Sequence, residues 1–251
     1  MPVHYERRAH AAILTIDRPE ARNAVDGDTA LALRAHFREF EADDGARVLI
    51  VTGAGGEAFC AGADLKKLNN PGGPEGPMGF TRLPSPKPTI AAVEGYCVAG
   101  GLEIACWCDV RVASETACFG VLNRRWGVPL IDGGTVRLPR IVGLGNALDI
   151  ILTGRLVDAQ EARIIGLVQR VVPKGGALAA ALDMAEQIAG SPWESVLSDR
   201  MSVFEALDLP TEEGLRRESQ IGREFAKMDD VRRFQAGEGR HGTPTHPGAD
   251  H

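Results

Sequence analysis

Two glycine-rich segments, Phe59-Cys-Ala-Gly-Ala-Asp-Leu65 and Glu94-Gly-Tyr-Cys-Val-Ala-Gly-Gly-Leu-Glu103, constrain this chain most, because each can bring a bare backbone N–H to one point. The run Pro88-Thr-Ile-Ala-Ala-Val93 reads as a buried, β-branched strand, and Gly100-Gly101 then opens an apolar helical run through Leu102, Ile104 and Ala105. N–H groups in the first turn of such a helix have no intrahelical acceptor and, with the helix dipole, favour an anion. The two segments together suggest an oxyanion hole, with Glu103 one turn into the helix.

Around these segments the pattern alternates. Strands are expected over Ala11–Asp17, Arg47–Thr52, Thr89–Val93 and Asp109–Ser114, and helices over Asp26–Ala42 and from Gly100. A turn at Gly53–Gly56, a short helix over Ala63–Leu68 and a Pro/Gly-rich loop over Asn69–Pro88 complete this part, and the rhythm places the chain in the α/β class. After Gly133 helices are expected at 135–141, 146–152, 159–165, 177–189, 192–207 and 211–227, interrupted by a single strand over Leu167–Val172. The expected organisation is a core over 1–190, a helical region over 191–240 and a polar, disordered tail over 241–251.

With 251 residues and 44% hydrophobic composition the chain can bury a substantial core. Its formal net charge of -6 provides no basic field for nucleic acid. The N-terminus lacks the apolar run of a signal peptide and no stretch approaches a membrane span, so a cytoplasmic protein is expected. Five cysteines, at 60, 97, 106, 108 and 118, lie in apolar or glycine-rich runs and suit reduced thiols better than disulfides.

The glycine segments, with Leu14-Thr-Ile-Asp-Arg-Pro-Glu-Ala-Arg-Asn-Ala-Val25, Val48-Leu-Ile-Val-Thr-Gly53, Trp126-Gly-Val-Pro-Leu-Ile-Asp-Gly-Gly-Thr135, Leu152-Thr-Gly-Arg155 and Gly166-Leu-Val168, resemble the enoyl-CoA hydratase/isomerase (crotonase) family, in family order over most of the chain. The resemblance implies a superhelix of β-β-α turns with a helical C-terminal region. It also implies an acyl-CoA thioester as substrate, no cofactor beyond the coenzyme A that the substrate carries, and assembly as a homotrimer or a dimer of trimers. It assigns the two oxyanion donors to Ala63 and Gly100, although Gly100 would also serve as a packing glycine and Ala63 as a short-helix cap. Coenzyme A contacts are implied for Arg22, Ala24, Ala63, Asp64, Leu65 and Lys66, while Trp126 would line the acyl pocket or fill core.

Glu103 matches one of the two glutamates with which hydratases of the family hold and activate water. The position of the second falls, counting from Glu103, on Asn123. An amide neither gives nor takes a proton near neutral pH, and losing one positioned acid or base typically removes on the order of 10² to 10⁴ in rate. Asp132 is the candidate substitute, since dienoyl-CoA isomerases, some acyl-CoA hydrolases and dihydroxynaphthoyl-CoA synthases carry an aspartate in a similar setting. An N-cap for the helix beginning near Gly133 is the competing role.

An enoyl-CoA hydratase is therefore the expected activity. An enoyl or dienoyl isomerase, a hydrolase using Asp132 and a non-catalytic acyl-CoA binder stand as alternatives. The literal dinucleotide pattern Gly53-Ala-Gly-Gly-Glu-Ala58 lacks the long helix that must follow it and is set aside. No metal site is expected, and His241, His246 and His251 in the tail carry no assigned role.

Overall fold

Parallel strands apolar on both faces make the centre of this fold, and five of them stand side by side because neither face could be left in water. The computed structural model describes residues 2–225 together with Arg232 and Gln235. The chain divides into two compact units, residues 1–185 and from Glu186 onward. The tail over 241–251, its three histidines, and the last two residues of the helix expected over 211–227 lie outside the described residues.

In chain order the first unit holds β1 (Val3–Arg8), β2 (Ala11–Ile16), α1 (Gly27–Ala42), β3 (Val48–Gly53), β4 (Ala58–Cys60), β5 (Thr89–Val93), β6 (Tyr96–Val98), α2 (Gly100–Trp107), β7 (Val110–Ser114) and β8 (Cys118–Gly120). There follow α3 (Gly134–Val142), α4 (Leu144–Thr153), β9 (Leu156–Asp158), α5 (Ala159–Ile164), β10 (Arg170–Val172) and the start of α6 (Ala177–Ala189). One sheet has the order β1-β2-β3-β5-β7-β10, parallel except for β1, and a smaller one the order β4-β6-β8-β9, parallel except for β9. Each long strand β3, β5 and β7 is followed by a three-residue strand in the smaller sheet before the chain returns, which stacks the turns the family resemblance implies. The second unit contains α7 (Trp193–Ala206) and α8 (Thr211–Phe225), which pack on each other with Arg217 paired to Glu205. Among the described residues no helix is long and apolar enough to cross a membrane.

Two expectations are corrected. Ala63–Leu68 forms a β-bridge and turns rather than a short helix, and β9 adds a second strand to the region after Gly133. The smaller sheet as a whole escapes a reading by periodicity, because three-residue strands are too short to show a period.

Asn23 joins the first turns together. Fully buried and at φ +55°, a backbone conformation that asparagine tolerates, it accepts from Arg18 N–H (2.9 Å) and donates to the carbonyls of Ala54 (2.9 Å) and Ala58 (2.7 Å). The Arg18 guanidinium in turn lies 3.1 Å from Asp26 and 3.0 Å from Asp64. Asp26 caps α1 through Thr29 N–H, so one network ties the start of α1 to the Ala63 segment. Replacing Asn23 with alanine strands a buried N–H and two carbonyls. The expected cost is about 3 kcal/mol, read as a drop in melting temperature on the order of 10 °C; a variant melting with the wild type would remove Asn23 from this role.

Candidate active site

The site begins where two backbones approach. Val25 and Ala63 form a parallel bridge in which Val25 N–H donates to the Gly62 carbonyl (2.8 Å) and Asp64 N–H to the Val25 carbonyl (3.0 Å). That pattern consumes the groups on either side of Ala63 and points its own N–H away from Val25. Gly62, at φ +92°, lies so close to α2 that a Cβ on it would stand 2.7 Å from Gly100 N. Ala99, the N-cap of α2, is held at φ +51° and ψ −125°, strained for an alanine, with its N–H donating to the Gly120 carbonyl (2.9 Å). The strain sets the direction of the first unbonded helix N–H, that of Gly100. Ala63 and Gly100 both line one cavity of about 620 Å³.

Glu103 is buried, 3% exposed, on the same cavity wall. Its Oε1 accepts from Asp132 N–H and Gly134 N–H, both at 2.8 Å, so this carboxylate closes the N-terminus of α3. Among the described residues Oε2 has no hydrogen-bond partner. Burial pushes the Glu103 carboxyl up to about 7; the N–H donors of Gly134 and Asp132 oppose that rise, the Asp132 carboxylate adds to it, and the charge of Arg137 pulls against it. Such a group holds or releases a proton near neutral pH.

Asp132 is also buried and lines the cavity, but it does not cap α3. Gly133 occupies the N-cap with no side-chain bond, and Asp132 Oδ1 instead accepts from Met78 N–H (3.0 Å) and Thr81 Oγ1 (2.5 Å). The capping expectation fails because Glu103 already supplies the acceptor. Asp132 turns to the 76–82 loop, fastening it to the site.

Asn123 lines the cavity, donates from Nδ2 to the Val128 carbonyl (2.7 Å) and keeps a buried Oδ1 with no partner. Leu65 and Trp126 lie on the wall, with Trp126 73% exposed, so this tryptophan is not core. Arg22 is there too, its guanidinium 3.4 Å from Glu57 and 5.7 Å from the Tyr96 ring centroid. Ala24, Asp64 and Lys66 do not line the cavity: Ala24 is buried, Lys66 is exposed, and Asp64 is engaged by Arg18. Met78, Asn70, Tyr96 and Leu156 line it without any signal in the sequence, since they come from an aperiodic loop and from three-residue strands. Among the described residues no group of three or more His, Cys, Asp or Glu could hold a metal ion.

A family profile described as enoyl-CoA hydratase/isomerase matches residues 6–242. The chain is 38% identical over 238 residues to an enoyl-CoA hydratase of Mycobacterium tuberculosis, EchA19, covering 90% of this chain and 89% of that protein. It is 36% identical over 222 residues to the (E)-benzylidenesuccinyl-CoA hydratase of Thauera aromatica, covering 86% and 87%. The crystal structure of the enoyl-CoA hydratase EchA1 of Mycobacterium marinum is similar with a TM-score of 0.89 at 33% identity, covering 96% of each chain.

The raised Glu103 value carries a stability consequence. Between the unperturbed 4.5 and about 7 the folded protein keeps a proton that the unfolded chain releases, so stability falls as pH rises through that window. Above it the penalty is about 3 kcal/mol. Glu103→Gln keeps the Oε1 acceptor and removes the penalty. The variant is expected to melt several degrees above the wild type at pH 8, the gap closing towards pH 4.5; equal melting curves at both pH values would contradict a buried ionised Glu103.

Proposed function

The chain belongs to the enoyl-CoA hydratase/isomerase family and is an enzyme of acyl-CoA thioesters, and from that premise we propose that it adds water across the double bond of a 2-enoyl-CoA. The observation that carries this reading is the divided carboxylate of Glu103, one oxygen fixed by two N–H groups and the other uncommitted, on the wall of the cavity that Ala63 and Gly100 also line. The thioester oxygen sits between the Ala63 and Gly100 N–H groups. Glu103 Oε2 takes a proton from water as its oxygen bonds to C3, and the enolate charge that develops on the thioester oxygen is held by dipoles already in place. A proton then returns to C2. Asn123 cannot supply it, which leaves Glu103, now protonated, either directly or with Asp132 Oδ2 relaying the proton that Glu103 took from water.

Coenzyme A enters as part of the substrate. Arg22 and Leu65, on the cavity wall, suit its contacts; Lys66 and Asp64 would act at most from outside the wall, and Ala24 from behind it. Asn123, an amide whose Oδ1 meets no hydrogen-bond partner among the described residues, favours one second reading, in which a single carboxylate moves a proton between C2 and C4 of an enoyl-CoA and no water is added. Loss of the conjugated enoyl-thioester absorbance from a 2-enoyl-CoA supports hydration, whereas its appearance from a 3-enoyl-CoA supports the isomerase.

Glu103→Gln is expected to lower kcat at least 100-fold with acyl-CoA affinity nearly unchanged, because the amide keeps the packing and loses the base. Asp132→Asn tests the C2 donor: a kcat loss with the fold intact assigns it to Asp132, and preserved turnover assigns it to Glu103. Asn123→Glu is expected to raise hydration if the missing acid limits the rate. Full turnover in Glu103→Gln would overturn the assignment.

For assembly, a homotrimer or dimer of trimers is supported by an apolar stripe on α4, where Leu144, Leu148 and Leu152 recur every four residues and are 65%, 43% and 66% exposed. Light scattering at micromolar concentration is expected to return a multiple of three chains, and a clean monomer would contradict it.

A further inference from the structure

The peptide units that hold Glu103 are themselves held from behind. Arg137, in the first turn of α3, donates from Nη1 to the Asp132 carbonyl (2.9 Å) and from Nη2 to the Thr81 carbonyl (2.6 Å). Arg82 donates from Nε (3.0 Å) and Nη2 (2.5 Å) to the Ile131 carbonyl. Gly133, at φ +99°, leaves the space the guanidinium fills: a Cβ there would stand 2.1 Å from Arg137 Nη1. Asp132 thus has its N–H on Glu103, its carbonyl on Arg137 and its carboxylate on the 76–82 loop, with no backbone group left to move.

The guanidinium is partly buried, and among the described residues no carboxylate pairs with it. A cation removed from water without an ion-pair partner is a poor device for stability, since an apolar side chain of similar length would fill the channel at lower cost. Its charge is instead felt by the nearest carboxyls. The charged groups that act on Glu103 are Asp132 from the segment before α3 and Arg137 from α3 itself; Cys106 of its own helix feels Glu103 in turn, and Arg22, Arg125 and Tyr96 stand elsewhere on the cavity wall. Arg137 is the cation among those acting on Glu103, and its effect opposes burial.

We propose that Arg137 is a positioning residue for the reaction: its fork fixes the Asp132–Gly134 peptides that hold Glu103 Oε1 and places a positive charge behind that carboxylate. The inference rests on the reading of Glu103 as the base, and its test is separable from that reading. In the ligand-free full chain, the Glu103 carboxyl is titrated by infrared difference between each protein and its Glu103→Gln counterpart, for the wild type, Arg137→Gln and Arg137→Lys. The kcat/KM profile against pH is recorded for the same three proteins, each carrying Glu103, with a short 2-enoyl-CoA. With Arg137→Gln the Glu103 midpoint is expected to rise by about one pH unit, carrying the acid limb of kcat/KM with it. With Arg137→Lys the midpoint is expected near the wild-type value, while kcat falls several-fold because an ammonium cannot bridge two carbonyls in the same fork. Arg137→Met, which also removes the charge, replaces the Gln variant should that one not fold. A midpoint unmoved in a folded neutral variant overturns the inference. Full turnover in Glu103→Gln alone would instead sink the base reading, and the infrared midpoint would still decide whether Arg137 governs that carboxyl.

Discussion

One carboxylate oxygen, Glu103 Oε1, ties the site together, because it closes the N-terminus of α3 from a position inside α2. Two N–H donors converge on it, so the helix start that would otherwise face the cavity unsatisfied becomes part of the wall. The same contact fixes the rotamer of Glu103 and leaves Oε2 as its chemically free atom. A general base needs both properties: an immobile side chain and an uncommitted lone pair.

This arrangement is expensive, and the surrounding fold carries the cost. Glu103 is buried beside another carboxylate, Ala99 is held in a strained conformation, and Arg137 is partly buried with no ion-pair partner among the described residues. Each would be unfavourable alone. The parallel sheet of β2, β3, β5, β7 and β10, with the satisfied networks around Asn23 and Arg18, supplies the rigidity that keeps these groups in place. In the proposed reaction, charge that develops at the cavity is met by dipoles that do not reorganise.

Chemistry that depends on local covalent order is legible along the chain. The Gly100 N–H follows from a strand, a glycine pair and an apolar helix in succession, and α1 follows from Asp26 and its helical pattern. Partners from distant segments are not legible in this way. Asp132 sits where an N-cap is expected, and only the arrival of Glu103 from α2 redirects it to Met78 and Thr81. The 63–68 segment has the composition of a short helix, yet the bridge to Val25 draws Ala63 into strand-like pairing and the residues after it into turns. Asn70, Met78 and Leu156 reach the cavity from a loop and a short strand that carry no periodic pattern.

The amino-acid sequence by itself determined the α/β alternation, the two bare N–H segments, the retained Glu103 and the amide at Asn123, because each is a property of neighbouring residues and their spacing. Tertiary structure alone decided which oxygen of Glu103 is free, that Asp132 fastens a loop instead of capping a helix, and that Arg137 lies behind both. These depend on which surfaces exclude water and which hydrogen-bond donors converge, and segments some thirty to fifty residues apart acquire those relations only when the chain is packed.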